Sequence, residues 1–282
     1  MPELPEVETI RRGLQKHLVG HTITDIDIRL SKQFSGKHKS ILGAKVIAAR
    51  RFGKGLLIDL DNGFSLAIHV KMTGQLLYRK VAKVSGVSKV SEATIVELPD
   101  KYTHVIFLLD NGAVLYYRDI RQFGWVKVLP TKEASELPFF KNLGPEPLKD
   151  LTFEMFASLL NKAKTPIKLL LMDQTKIAGI GNIYANDALY RAKIHPKRPA
   201  NSLSKIEQKG LFEAIENVLK KGIEVGGASE RYYVDVLGGR GKYQNFFLVY
   251  QKTGEKCKRC GAIIEKTVLG GRGTFFCPAC QR

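Results

Sequence analysis

GLLIDLDNGFSLAIHV (residues 55–70) places two apolar runs, Leu56 to Leu60 and Leu66 to Val70, on either side of Asp61-Asn62-Gly63. An Asn-Gly pair between such runs signals a tight hairpin, because the turn that matches strand twist needs positive φ at its centre. Asp110-Asn111-Gly112 repeats the device between Val105–Leu109 and Ala113–Tyr117, and Ile23, Ile26, Ile28 and Leu30 add a further strand pattern. Residues 22–129 therefore read as antiparallel sheet, closed as a sandwich or a barrel. The Lys-, Ser- and Val-rich segment 81–96 breaks the pattern and reads as an exposed loop and insertion.

Ahead of the sheet, Val7, Ile10, Leu14 and Leu18 fall at helical spacing, and Gly20 offers a stop. Beyond it, LPFFKNLGPEP (137–147) carries three prolines and a glycine and reads as a linker. Helical patterns follow over 153–160, 166–172, 182–191 and 206–221. The expected organisation is an α+β chain: an N-terminal β domain with a leading helix over 1–130, a linker over 131–150, a helical domain over 151–250, and a cysteine module over 251–282.

Lys and Arg number 45 against 27 Asp and Glu, giving a net charge of +18. Such an excess suits a polyanion, most often nucleic acid, although it also serves solubility. No apolar run is long enough to span a bilayer, and Glu stands where a signal peptide carries Lys or Arg. A soluble cytoplasmic protein, with no membrane partner and no sign of oligomerisation, is expected.

All four cysteines lie in the last 26 residues, as Cys257-Lys-Arg-Cys260 and Cys277-Pro-Ala-Cys280 with 16 residues between the pairs. Two C-x-x-C pairs at this separation match a tetrahedral zinc site. With four thiolates and no open position, one structural zinc ion is expected and no organic cofactor. Between the pairs, Gly270-Gly271-Arg272-Gly273 suits a hairpin tip that displays Arg272 toward a groove or phosphate.

The opening MPELPEVETI asks for a second explanation. A helix start accounts for Pro5, Glu6 and Glu8, which suit a first turn and its positive dipole end. It leaves Pro2 and Glu3 over. Removal of Met1 would expose a secondary amine beside the Glu3 carboxylate. With an α-amino pKa near ~7.8 against ~10.4 for Lys, a terminal amine is the better Schiff-base nucleophile. In AGIGNIYANDALY (178–190), Gly179 and Gly181 precede a helix; they either let backbone N–H groups approach a phosphate, with Asn182 adding donors, or permit tight packing. By pattern alone, Met72 and Phe123 belong to the core.

MPELPEVETIRRGL, the strand entry at Lys54, THV at 103–105, DIRQFG at 119–124, LGPEPL at 143–148, GIGNIYA at 179–185 and the terminal GRGTFFCPACQR closely resemble the formamidopyrimidine-DNA glycosylases of bacterial base excision repair, in the same order from residue 2 to 282. The resemblance implies an N-terminal β-sandwich, then a helix-two-turn-helix domain with a C-terminal four-cysteine zinc finger, and damaged double-stranded DNA lying across the cleft between them, bound by a monomer. It implies that Pro2 attacks C1′ of an oxidised purine nucleotide, that Glu3 is its acid/base partner, that Lys54 serves proton transfer and phosphate contact around β-elimination, and that Arg272 binds phosphate with a part in δ-elimination. Met72, Arg121 and Phe123 match void-filling positions, which reverses the core reading. His104, Lys164, Lys168 and Asn182 match phosphate-binding positions, and Glu6 an acidic residue that orders the active site.

Three departures stand out: segment 81–96, Gln122 in place of a frequent Arg, and Asp187 where Glu is common. VDVLGGRGKYQN (234–245) differs in detail from the family's mobile loop over the flipped base. The competing readings are a related endonuclease VIII-type glycosylase for oxidised pyrimidines and a non-catalytic zinc-containing DNA-binding protein.

Overall fold

The computed structural model describes residues 1–80 and 97–282, so the expected loop over 81–96 lies outside the described residues. The chain divides into two compact units, 1–141 with 225–242, and 142–224 with 243–282.

The first unit opens with helix α1 (Leu4–His17) and continues through strands β1 (Ile23–Ile28), β2 (Phe34–Ser35), β3 (Val46–Phe52), β4 (Gly55–Leu60), β5 (Phe64–His69), β6 (Gly74–Lys80), β7 (Thr103–Leu109), β8 (Ala113–Asp119) and β9 (Trp125–Pro130). They form two sheets, in the orders β1-β7-β8-β6 and β2-β9-β5-β4-β3, which resolves the sequence ambiguity in favour of a sandwich. Both Asp-Asn-Gly hairpins form, with Leu57 opposite Ala67 in one and Phe107 opposite Leu115 in the other. Leu56, Ile58, Leu66, Ile68, Phe107, Leu115 and Tyr117 fill one core with Val7, Ile10 and Leu14 of α1.

Two boundaries differ from the sequence reading. The prolines of 137–147 suggest a bare connection, yet Pro138–Lys141 forms a short helix, α2, whose Phe140 meets Phe52 edge-on and whose Phe139 meets His69 and Trp125. Aromatic burial holds the start of the expected linker on the sandwich. Residues 225–242, expected in the helical domain, group with the first unit. The Tyr78 N–H donates to the Val236 carbonyl at 2.7 Å, and Val236 enters the sandwich core.

The second unit comprises α3 (Phe153–Lys162), α4 (Ile167–Met172), α5 (Asn182–Arg191), α6 (Lys205–Glu224), and the hairpin β10 (Glu265–Leu269) and β11 (Arg272–Phe276). Helix α5 is buried from Ile183 to Tyr190. Its Asp187 takes N–H bonds from Leu248 and Val249 at 3.1 Å and from Tyr250 at 3.3 Å, fixing the chain that leads into the cysteine module. Burial pushes the Asp187 carboxyl up to about 6, even though these N–H groups favour its charged form. Among the described residues no helix is long and apolar enough to cross a membrane.

Glu8 locks α1 to β3. Its carboxylate meets Arg11 and Arg12 of its own helix at 2.9 Å and Arg51 of β3 at 3.1 Å. Burial alone would raise its pKa, but the three guanidiniums outweigh it and hold the carboxyl at about 2, below the ordinary 4.5. A depressed carboxyl pKa contributes stability above the unfolded value and loses it as pH falls through the folded one. Glu8→Gln should cost roughly 1–2 kcal/mol at pH 7, discounted for solvent screening. That difference from the unsubstituted chain should vanish between pH 4.5 and 2 in denaturant melts, the window set by the two Glu8 values.

Candidate active site

At the N-terminus of α1, Pro2 is buried, as are Glu3 and Glu6. The carboxylate of Glu6 accepts the Glu3 N–H at Oε2 and the Ala228 N–H at Oε1, each at 2.7 Å. One side chain thus joins the chain start to the 225–242 segment. Gly227 makes the approach possible: its φ is +81°, and a Cβ there would sit 2.8 Å from Glu6 Cγ. Pro2, Glu3 and Glu6 thus lie together at the start of α1.

Lys54 is buried in the turn between β3 and β4. Sequence reasoning missed His69, the buried end of β5. Burial, then the charges of Lys71 and Lys54, hold the imidazole down at about 3. The Lys71 N–H donates to its Nδ1 at 2.8 Å, so the neutral ring carries its proton on Nε2. The available signal was one histidine closing an apolar strand just before Met72, but nothing in strand periodicity separates such a residue from a packed core histidine.

Met72 and Phe123 are 40% and 54% exposed, which corrects the core reading that pattern alone gives them. Arg121 lies between them, its guanidinium 4.6 Å from the Phe123 ring centre and Nη1 3.1 Å from Met72 Sδ. Behind this group sits Asp119, fully buried. Its Oδ1 accepts from the Thr73 hydroxyl at 2.5 Å and the Arg121 N–H at 3.2 Å; its Oδ2 accepts from Gln33 at 2.9 Å and the Gly124 N–H at 2.8 Å. A single carboxylate therefore fixes both the loop bearing Met72 and the loop bearing Arg121 and Phe123. His104 is nearly buried and donates from Nε2 to the Asp119 carbonyl at 2.8 Å, supporting the same turn.

In the second unit, Arg272 is exposed at the start of β11, after a turn in which Gly270 and Gly271 have φ of 57° and 69°. Lys164 is exposed between α3 and α4. Lys168, expected at a phosphate, is 0% exposed. Its ammonium donates to the Gly273 carbonyl at 3.0 Å and the Thr274 hydroxyl at 2.7 Å, so in this structure it holds the strand that begins with Arg272. Asn182 adds a bond to the Gly273 carbonyl at 3.1 Å, and Asn186 accepts the Phe275 N–H at 2.8 Å. The Gly179 N–H goes to Gln174 Oε1 at 3.0 Å, which gives that glycine to loop structure rather than to an open anion site.

Cys257, Cys260, Cys277 and Cys280 converge, all four sulfurs lying within 4.8 Å of one another. Cys257–Cys280 and Cys260–Cys277 are 3.9 and 3.5 Å apart. Zn–S bonds of ~2.3 Å in a tetrahedron require sulfurs about 3.8 Å apart, so the set fits zinc. Backbone N–H groups of Arg259 and Cys280 point at Cys257 and Cys277 sulfur at 3.4 Å, as a thiolate site needs. These cysteines form a structural zinc site.

A β-sandwich with a buried amino-terminal Pro-Glu pair, a helical unit and a zinc hairpin is the arrangement of a zinc-finger DNA glycosylase. Family models agree along the chain: the formamidopyrimidine-DNA glycosylase N-terminal domain matches residues 1–126, the H2TH domain of the same enzymes 143–233, and a zinc finger found in FPG and IleRS 254–282. The formamidopyrimidine-DNA glycosylase of Pelotomaculum thermopropionicum is 43% identical, covering 100% of this chain and 99% of that protein; that of Heliobacterium modesticaldum is 41% identical, covering all of both. A Lactococcus lactis FPG mutant bound to Fapy-dG containing DNA superposes with a TM-score of 0.87 at 36% identity, covering all of both chains. Lactococcus lactis Fpg bound to abasic-site DNA gives 0.86 at 35% identity, covering 99% of each. The chain belongs to the formamidopyrimidine-DNA glycosylase family, whose members are DNA glycosylases and AP lyases.

Cys277→Ser should release zinc and disorder β10–β11 while leaving the sandwich folded. Metal analysis should fall from one zinc per chain toward none; an unchanged zinc content would contradict the ligand set.

Proposed function

We propose that this chain excises oxidised purines, 8-oxoguanine and formamidopyrimidines, from duplex DNA and then cleaves the strand by β,δ-elimination through a Pro2 Schiff base. The observation that carries the reading is the buried Pro2-Glu3 pair held by Glu6 to Ala228. Met1, half-exposed, is removed, and the Pro2 nitrogen becomes a secondary amine. Its lone pair forms a bond to C1′ as the N-glycosidic bond breaks, and the base departs with a proton. Glu3 exchanges protons with the sugar during ring opening. The resulting iminium acidifies C2′–H; loss of that proton expels the 3′ phosphate. A second elimination expels the 5′ phosphate, and water then hydrolyses the iminium and frees Pro2.

Lys54 serves proton transfer and phosphate contact in these steps. Arg272, Lys164 and Asn182 hold the strand through its phosphates, Arg272 also assisting the second elimination. Since C1′ is hidden inside a duplex, the nucleotide must be flipped out at a cost of a few kcal/mol. Met72 and Phe123 fill the gap, and the Arg121 guanidinium pairs with the orphaned base. Their exposure and their common anchor at Asp119 support this reading.

Borohydride reduction with a lesion panel tests it. Covalent adducts should form with duplexes holding 8-oxoguanine or formamidopyrimidine and fail when Met1 is retained; Glu3→Gln should abolish excision yet bind abasic-site duplex. Stronger trapping on oxidised pyrimidines would overturn the substrate assignment, and trapping with Met1 retained would overturn the nucleophile. Lys164→Ala should flatten the slope of log affinity against log salt by about 0.9 with lesion preference kept. Phe123→Ala should do the reverse, lowering discrimination between damaged and intact duplex at nearly constant slope.

A further inference from the structure

Helix α5 turns one stripe of polar side chains toward the cysteine module of the same unit. Asn182, Asn186 and Tyr190 follow one another at intervals of four, which places them on one helix face. Asn182 reaches the Gly273 carbonyl, Asn186 accepts the Phe275 N–H, and the Tyr190 hydroxyl lies 3.2 Å from Cys257 Sγ. The first two contacts hold strand β11. The third falls on a zinc ligand.

The direction of that contact follows from the chemistry of the two groups. A phenol, with a pKa near ~10, keeps its proton at neutral pH, whereas a zinc ligand sulfur is a thiolate and carries none, so the hydroxyl donates. Cys257 is 3% exposed, and water cannot solvate its charge as it can at exposed Cys260. Tyr190 is 5% exposed, so its hydroxyl needs a partner inside the protein. Each buried group supplies what the other lacks.

Arg259 closes the arrangement. Its backbone N–H donates to the same sulfur at 3.4 Å, its guanidinium lies 4.4 Å from the centre of the Tyr190 ring, and its Nη2 donates to the Tyr190 carbonyl at 3.1 Å. One residue therefore holds both the ligand and the phenol, and moving the ring off Cys257 breaks a cation–π contact. Four thiolates outweigh the charge of one Zn²⁺ ion, so the centre is anionic and gains from each donor and from a nearby cation.

We propose that Tyr190 is a positioning residue of the zinc centre: its hydroxyl, steadied by Arg259, donates to the Cys257 thiolate and favours the zinc-loaded state. A hydrogen bond to a charged acceptor is stronger than one to a neutral acceptor, so the bond gains strength when the thiol becomes a thiolate. It also ties that ligand to α5, whose Asn182 and Asn186 hold the strand that begins with Arg272. Metal and hairpin are thus referred to one helix face.

Tyr190→Phe in the full chain tests this, since it keeps the ring and its Arg259 contact and removes only the hydroxyl. In competition with a chromophoric chelator the variant should hold zinc about tenfold more weakly, the low end of the loss expected for a ligand's hydrogen-bond partner. In the cobalt(II)-substituted chain the sulfur-to-cobalt charge-transfer band should move to lower energy, because a thiolate without that donor is more electron-rich. Loss of packing alone would leave the band in place. Arg259→Ala, at an exposed position, should move the band the same way by a smaller amount, and it carries the test should Tyr190→Phe not fold. An unmoved band in the folded variant, or zinc affinity equal to that of the unsubstituted chain, would overturn the proposal.

Discussion

The buried carboxylate of Glu6 accepts two backbone N–H groups that are far apart in sequence, those of Glu3 and Ala228. A fully buried carboxyl group is tolerated only where hydrogen bonds replace its water, and these two are short, at 2.7 Å each. The consequence is mutual: the segment after α6 gains an anchor on α1, and the backbone beside Pro2 is fixed. Losing the bond to Ala228 takes the acceptor from a buried backbone N–H, at a cost of about 1–3 kcal/mol. Val236 in the sandwich core and the Tyr78 bond to its carbonyl extend the same attachment.

Asp119 and Lys168 repeat the logic elsewhere. Each is buried, and each directs its side-chain polar atoms to the backbone or hydroxyls of a loop that exposes a functional side chain. The exposed groups, Met72, Arg121, Phe123 and Arg272, are presented to solvent by buried polar anchors rather than by their own packing. Zinc does the same for the hairpin, where an apolar core of Tyr190, Val249, Ile264 and Phe275 is too small to hold two strands alone.

Features written in local chemistry were legible in the sequence. The two Asp-Asn-Gly hairpins, the leading helix and the four-cysteine site follow from turn geometry, spacing and thiolate chemistry, and each stands where it was read. Features set by distant partners were not. Two-residue periodicity cannot tell Met72 at a loop tip from Leu76 in the core. Prolines in 137–147 hide the fact that Phe139 and Phe140 pack on the sandwich. Chain order assigns 225–242 to the helices that precede it, whereas the bonds of Glu6 and Val236 draw it to the sandwich. The resemblance that assigns Lys168 to a phosphate does not say that its ammonium faces inward, and the one signal for His69, a histidine closing an apolar strand, does not separate it from a packed core histidine.

The most direct test is amide hydrogen exchange of Glu6→Gln, a change that keeps shape but leaves one oxygen to accept two N–H groups and sets an NH₂ against the other. The account predicts that the amide of Ala228 or of Glu3 loses protection by at least tenfold, about 1.4 kcal/mol, while amides of β4 and β5 keep theirs. Unchanged protection at both amides, in a folded and zinc-containing chain, would contradict the claim that this carboxylate holds the 225–242 segment to the start of the chain.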